Sequence, residues 1–134
     1  MSNHRIKATI QASGDGNKPL YRQIAFNGHV GYLNAVLKAM EIHTAKNTDY
    51  SGGGGPDDDP LANFKGSTEL GVNPLLGIFI RMADKFQRLK AFSKNGTLAV
   101  ANESVDDALT DIANYALLAV ALRSEDDVVK EAPQ

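Results

Sequence analysis

Residues 102–123 read NESVDDALTDIANYALLAVALR. Asn102 and Ser104 precede an uninterrupted helical pattern with no glycine or proline up to Arg123. At 3.6 residues per turn, Glu103, Asp107, Asp111 and Asn114 share one face of the expected helix. Val105, Leu109, Ile112, Ala116 and Val120 lie opposite and read as its core stripe. The acidic face turns apolar one turn later, at Leu118, Ala121 and Leu122, so it is expected to be covered along its length. Carboxylates beside a covered wall need a cation, a metal ion or a ligand. Capping offers a plainer account of part of the set. Ser104 and Asp107 have the spacing of a capping box, and acids in a first turn complement the helix dipole. Capping does not account for Asp111, which lies further into the helix.

The rest of the chain is arranged around this helix. Residues 5–12 alternate, with Ile6, Ala8, Ile10 and Ala12 on one side and Arg5, Lys7, Thr9 and Gln11 on the other, as in a half-buried strand. Residues 13–19 (SGDGNKP) are turn chemistry, and 20–26 alternate again, which predicts an N-terminal β-hairpin. Asn27 is the expected cap of a first helix, about 28–46, in which Val30, Leu33, Val36, Leu37 and Met40 recur at helical spacing. His29 and His43 read as surface or core-edge side chains. Asn73-Pro74 opens a second long helix, about 73–92, by placing proline at the first helical position. Its expected buried stripe is Leu75, Ile78, Phe79, Met82, Phe86 and Leu89. Arg81, Asp84 and Arg88 fall on another face, with Lys85 at its edge.

Between these helices, 47–72 reads as a long loop containing four consecutive glycines, Gly52 to Gly55, and the acidic run Asp57, Asp58 and Asp59. Loops of that length inside a compact domain are usually functional or disordered. A short helical turn is expected near 61–65, where Leu61 and Phe64, with Leu70, pin the loop. The acidic run lacks the ligand spacing of an EF-hand. The fold class is therefore mainly α, a small helical bundle with an N-terminal β-hairpin. The organisation is a single domain over 1–134: a hairpin extension at 1–27, a helical core at 28–123 with the loop 47–72, and a frayed tail at 124–134.

Composition limits the function classes. The chain has 134 residues, 43% of them hydrophobic, no cysteine and a net charge of −2. Disulfides and thiolate metal sites are excluded. The charge argues against binding long nucleic acid through its phosphates. No apolar run is long enough to span a bilayer, and the N-terminus MSNHRIK lacks the apolar stretch of a signal peptide, so the expected location is the cytoplasm. Leu117, Leu118 and Leu122 make the last helix apolar nearly all round, which predicts a homo-oligomer.

Three blocks, taken in order, carry a resemblance. The first is Lys46-Asn47-Thr48-Asp49-Tyr50-Ser51-Gly52, then Asp59-Pro60 and Asn63-Phe64. The second is Arg81, Asp84-Lys85 and Arg88-Leu89. The third is Glu103-Ser104, Asp107, Leu109, Asp111 and Ala113-Asn114-Tyr115. Over roughly 33–122 the chain resembles the small helical family called nucleotide modification associated domain, found mostly in bacteriophages. The hairpin lies outside the resemblance, and the glycine run looks like a local expansion. The acid-bearing helix is also similar in style to the all-helical MazG-like nucleoside triphosphate pyrophosphohydrolases, although the Glu-Glu-x-x-Glu motif of that group is absent.

The resemblance implies nucleotide handling, in an infected host cell if the source is viral, and three readings of the residues remain open. In the first, Glu103, Asp107 and Asp111 are catalytic and hold Mg2+, which polarises a phosphoryl group and activates water. Lys46, Arg81, Lys85 and Arg88 neutralise phosphate oxygens, and Tyr50, Phe64 or Tyr115 stacks on the base. The blocks supply Asn47, Asp49, Asn63, Asp84 and Asn114 as further ligand-binding candidates. In the second, the same residues bind a nucleotide or cyclic nucleotide without chemistry, as in sequestration of an immune signal to counter host defence. In the third, the charges form an ion-pair network between helices.

Overall fold

A computed structural model of the chain describes residues 4–13, 21–50, 61–96 and 104–131. Two antiparallel strands, β1 (Arg5–Ser13) and β2 (Tyr21–His29), lead into α1 (Val30–Tyr50). A four-residue helix, α2 (Ala62–Lys65), runs into a 3-10 segment (Gly66–Leu70) and is followed by the long helices α3 (Pro74–Asn95) and α4 (Val105–Glu131). The expected fold class holds: mainly helical, with an N-terminal hairpin. The chain divides into two compact units, 1–38 and 39–134, and the division falls inside α1.

In the first unit the register pairs Ile6 with Gly28, Ala8 with Phe26 and Ile10 with Ile24, so the alternating apolar residues share a face. Gly28 belongs there because a Cβ would meet the Phe26 ring at 3.0 Å. Phe26 stacks in turn on Tyr32 of α1, with centroids 6.0 Å apart and rings 2° from parallel.

The expected cap of α1 is corrected. Asn27 stays within the strand, where its side-chain Oδ1 accepts from Arg5 Nη1 at 3.1 Å. The cap is His29, whose Nδ1 accepts from Gly31 N at 2.9 Å. A second orphan donor of the first turn, Val30 N, is satisfied by the His4 carbonyl at 2.7 Å. The His4 and His29 rings lie 5.2 Å apart. Gly31 leaves space for this cap, since a Cβ there would meet the imidazole at 3.0 Å. Ring nitrogens are not among the usual capping acceptors, so a search for Ser, Thr, Asp or Asn passes over His29.

α1 also runs further than expected, to Tyr50, and takes in Asn47, Asp49 and Tyr50. After Gly31 in its first turn, no glycine or proline interrupts it before Gly52. The stretch 47–72 is thus helical at both ends, with α2 and the 3-10 segment occupying 62–70 as expected of 61–65. The glycine and aspartate runs fall in 51–60, outside the described residues.

The second unit is built on α3 against α4. Asn73 caps α3 as expected, its Oδ1 accepting from Leu75 N at 2.8 Å with Pro74 at the first position. The helix ends at Asn95 on Gly96, which takes φ 75° and donates its N–H to the Phe92 carbonyl at 2.7 Å. The core joins Leu61 and Phe64 to Ile78 of α3 and to Ala119 and Leu122 of α4, with Leu75, Met82, Tyr115 and Leu118 packed around them. Ile78, near the start of α3, meets the late part of α4, and Lys85 meets Asp111, which makes the two helices antiparallel. α4 continues to Glu131 through the stretch read as a frayed tail, because no glycine or proline interrupts it before Pro133.

The buried faces differ from those expected. On α4, Leu109 and Val120 are 49% and 66% exposed, and Ala116 is exposed as well. The packed face carries Ala108, Tyr115, Ala119 and Leu122, with Asp111 at its edge. On α3, Phe79 and Phe86 of the expected stripe are half exposed while Ile78 is fully buried. On α1, Leu33 and Ala39 are buried, whereas Val36, Leu37 and Met40 are exposed. Each helix carries more apolar residues than one face can hold, so spacing alone does not select the inner one.

Candidate functional site: a lysine pair on Asp111

Asp111 lies at the end of the second helical turn of α4, past the first turn, within which the helix dipole acts. Two ammonium groups converge on it. Lys85 of α3 meets Oδ2 at 3.0 Å, and Lys46 from the last turns of α1 meets Oδ1 at 3.2 Å. The three side chains differ in depth: Asp111 and Lys85 are 15% and 16% exposed, Lys46 47%. A carboxylate this covered requires compensation, and Lys85 supplies most of it, because water screens the outer pair. Asn114, three residues on, donates Nδ2 to the Ala39 carbonyl at 3.0 Å and ties α4 to α1 within the second unit.

One turn along the same faces lies an aromatic group. Tyr115 is at i+4 from Asp111 and Arg81 at i−4 from Lys85, so each neighbours the lysine pair along its own helix. The Phe64 ring meets Tyr115 edge-on, with centroids 6.3 Å apart at 86°. The Arg81 guanidinium lies over the Phe64 ring, 4.8 Å from its centroid. Arg88 continues the basic face, with Nε 3.9 Å from the Asp84 carboxylate. Four cations, Lys46, Arg81, Lys85 and Arg88, thus stand against three carboxylates, Asp84, Asp107 and Asp111, a net of one positive charge.

The structure therefore joins Lys46 and Lys85 to Asp111 by ion pairs and Arg81, Phe64 and Tyr115 by ring contacts, with Asp84, Arg88 and Asn114 on adjacent positions of the same helices. It separates Asp107 from them in role. The Asp107 Oδ2 accepts from Ser104 N at 3.3 Å and Ser104 Oγ accepts from Asp107 N at 2.9 Å, the reciprocal bonds of a capping box. Asn47, Asp49 and Tyr50 belong to the last turn of α1 and Asn63 to α2. Glu103 lies outside the described residues. Among the described residues no group of three His, Asp or Glu side chains is placed to hold a metal ion. Asp107 is engaged in the cap and Asp111 by two ammonium groups, so the described part of the carboxylate set does not fit a magnesium centre.

Two surface clefts lie elsewhere. One, of about 230 Å³, is bounded by His4, Arg5, Gly28 and His29 in the first unit. The other, of about 380 Å³, lies in the second unit between Lys65, Thr68, Asn73, Pro74, Leu122 and Glu125. Its rim includes an ion pair that sequence reasoning did not find, Lys65 to Glu125 at 2.8 Å. Sixty residues separate the partners in the chain, and no local periodicity links them.

Fold and cluster define the class: a small α-helical domain carrying a cationic, aromatic-flanked site on an antiparallel helix pair. Residues 78–122, which span most of that pair, match the family described as Nucleotide modification associated domain 1. The match takes in the second and third sequence blocks and leaves the first, around Lys46 and Phe64, outside. No curated protein and no solved structure matches the chain, and the likeness to the pyrophosphohydrolases finds no support there. The family description is compatible with nucleotide handling. No helix among the described residues is long and apolar enough to cross a membrane.

Proposed function

We propose that the second unit binds a nucleotide through this cluster and performs no chemistry on it. The observation that carries the reading is the convergence of Lys46 and Lys85 on Asp111, beside the Phe64, Tyr115 and Arg81 group. Asp111 holds the two ammonium groups at hydrogen-bond distance on its two carboxylate oxygens, which lowers the ordering cost of receiving a phosphate. An ammonium has three protons, and Lys46 is half exposed with one of them on Asp111, so it is placed to donate to an incoming oxygen. Arg81 and Arg88 add charge along the same face, and the half-buried Tyr115 ring offers apolar contact for a base. The excess of cations over carboxylates suits a nucleoside phosphate, linear or cyclic.

Magnesium-dependent hydrolysis is the competing proposal, and it requires Glu103 as a further carboxylate. Titration calorimetry separates the two. Nucleoside mono-, di- and triphosphates and cyclic nucleotides are titrated in excess chelator and again with magnesium. We expect binding in chelator that weakens at least tenfold in Lys85→Met and less than that, per folded molecule, in Asp111→Asn, which loses the preorganising carboxylate but keeps both cations. Binding that needs magnesium and vanishes in Asp111→Asn, or release of phosphate during the titration, overturns this reading in favour of the hydrolase.

A further inference from the structure

The exposed side of α4 has an order that neither the core nor the lysine cluster uses. Leu109, Ala113, Ala116 and Val120 are all exposed and follow one another at intervals of four, three and four residues. That is the spacing of a helix-pairing seam, and with Leu117 at its flank it offers solvent a continuous apolar strip. Leu117 and Val120 are 65% and 66% exposed, more than any residue of the packed face. At the next seam position towards the N-terminus stands Asp106, and at the next towards the C-terminus Arg123, both exposed.

The strip is complementary to itself when reversed. Running two copies antiparallel about a twofold axis between Asn114 and Tyr115 sets Leu109 against Val120 and Ala113 against Ala116. The same register sets Asp106 against Arg123 at both ends. Large residues then meet at the outer layers, and the paired alanines let the backbones approach at the centre. A parallel pairing instead sets Asp106 against Asp106 and Arg123 against Arg123, which like-charge repulsion disfavours. We propose that α4 is the interface of an antiparallel, twofold-symmetric dimer, with a second copy of this chain as its occupant. The seam covers four layers, about 16 Å of helix. That is shorter than a standard interface of about 800 Å² per partner, so the dimer belongs to the weak, reversible class.

Because the chain has no cysteine, introduced thiols report the register directly. Ala113→Cys and Ala116→Cys variants of the full chain, one with a tag that shifts its mass, are oxidised separately and as an equimolar mixture. Sedimentation of the unmodified protein is followed up to about 100 μM, where micromolar association is visible. We expect a concentration-dependent dimer, and a disulfide-linked heterodimer in the mixture that exceeds the homodimer of either variant alone. Four Cβ-bearing seam positions tolerate cysteine without reaching the core, and circular dichroism verifies that both variants fold. A protein monomeric throughout overturns the proposal. So does linkage of either variant alone to the extent seen in the mixture, which marks a parallel seam, and so does a dimer without linkage in the mixture, which marks another surface.

Discussion

Replacing Asp111 by Asn tests the centre of the site at near-constant volume. The carboxylate receives Lys85 at 3.0 Å and Lys46 at 3.2 Å. An amide has one carbonyl oxygen to accept with, and it presents N–H protons to the other ammonium. Both ionic attractions are therefore lost, one ammonium keeping only a neutral acceptor and the other facing N–H protons. The Lys46 half is nearly half exposed and contributes only about 0.5 kcal/mol. The Lys85 half is mostly covered, and a charge-assisted bond there is worth about 2 kcal/mol. The expected loss is about 2.5 kcal/mol. With an unfolding entropy of about 0.28 kcal/mol/K for a chain of this length, Tm should fall by about 9 °C. The assay is thermal unfolding by circular dichroism, repeated in urea. In the cycle of Asp111→Asn with Lys85→Met, the double variant should recover about 1.5 kcal/mol of the summed losses, because methionine leaves no ammonium stranded. A fall in Tm of less than about 2 °C, or additive losses in the cycle, refutes the assignment of Lys85 as the partner that makes Asp111 tolerable.

Ile78 is fully buried at the centre of the α3–α4 core, so Ile78→Ala should cost about 3 kcal/mol and be read as a lower urea midpoint at unchanged slope. Asn73→Ala removes the acceptor of Leu75 N and should cost about 1 kcal/mol, whereas Asn73→Asp should be close to neutral in the same measurement.

Local signals in the chain were sufficient for the elements and several of their ends. Alternation of Ile6, Ala8 and Ile10 defines β1, Asn73-Pro74 starts α3, and Ser104 with Asp107 starts α4, because each depends on neighbours within four residues. His29 as the cap of α1 was not legible, since its ring nitrogen acts only where Gly31 admits it. Of the site, residue types and the shared face of Arg81, Asp84 and Arg88, with Lys85 at its edge, were readable from helical spacing. The partners were not: Lys46 lies 65 residues from Asp111, and only packing brings them to 3.2 Å. The sequence by itself thus determined secondary structure and the supply of charged and aromatic candidates. The tertiary structure decided which side of α4 faces inward. From Ala108 to Leu122 that helix is apolar on almost every side, so burial of Ile78 against Ala119 and Leu122, rather than any pattern within the helix, turned Asp111 towards Lys85 and left Leu109 and Val120 to solvent.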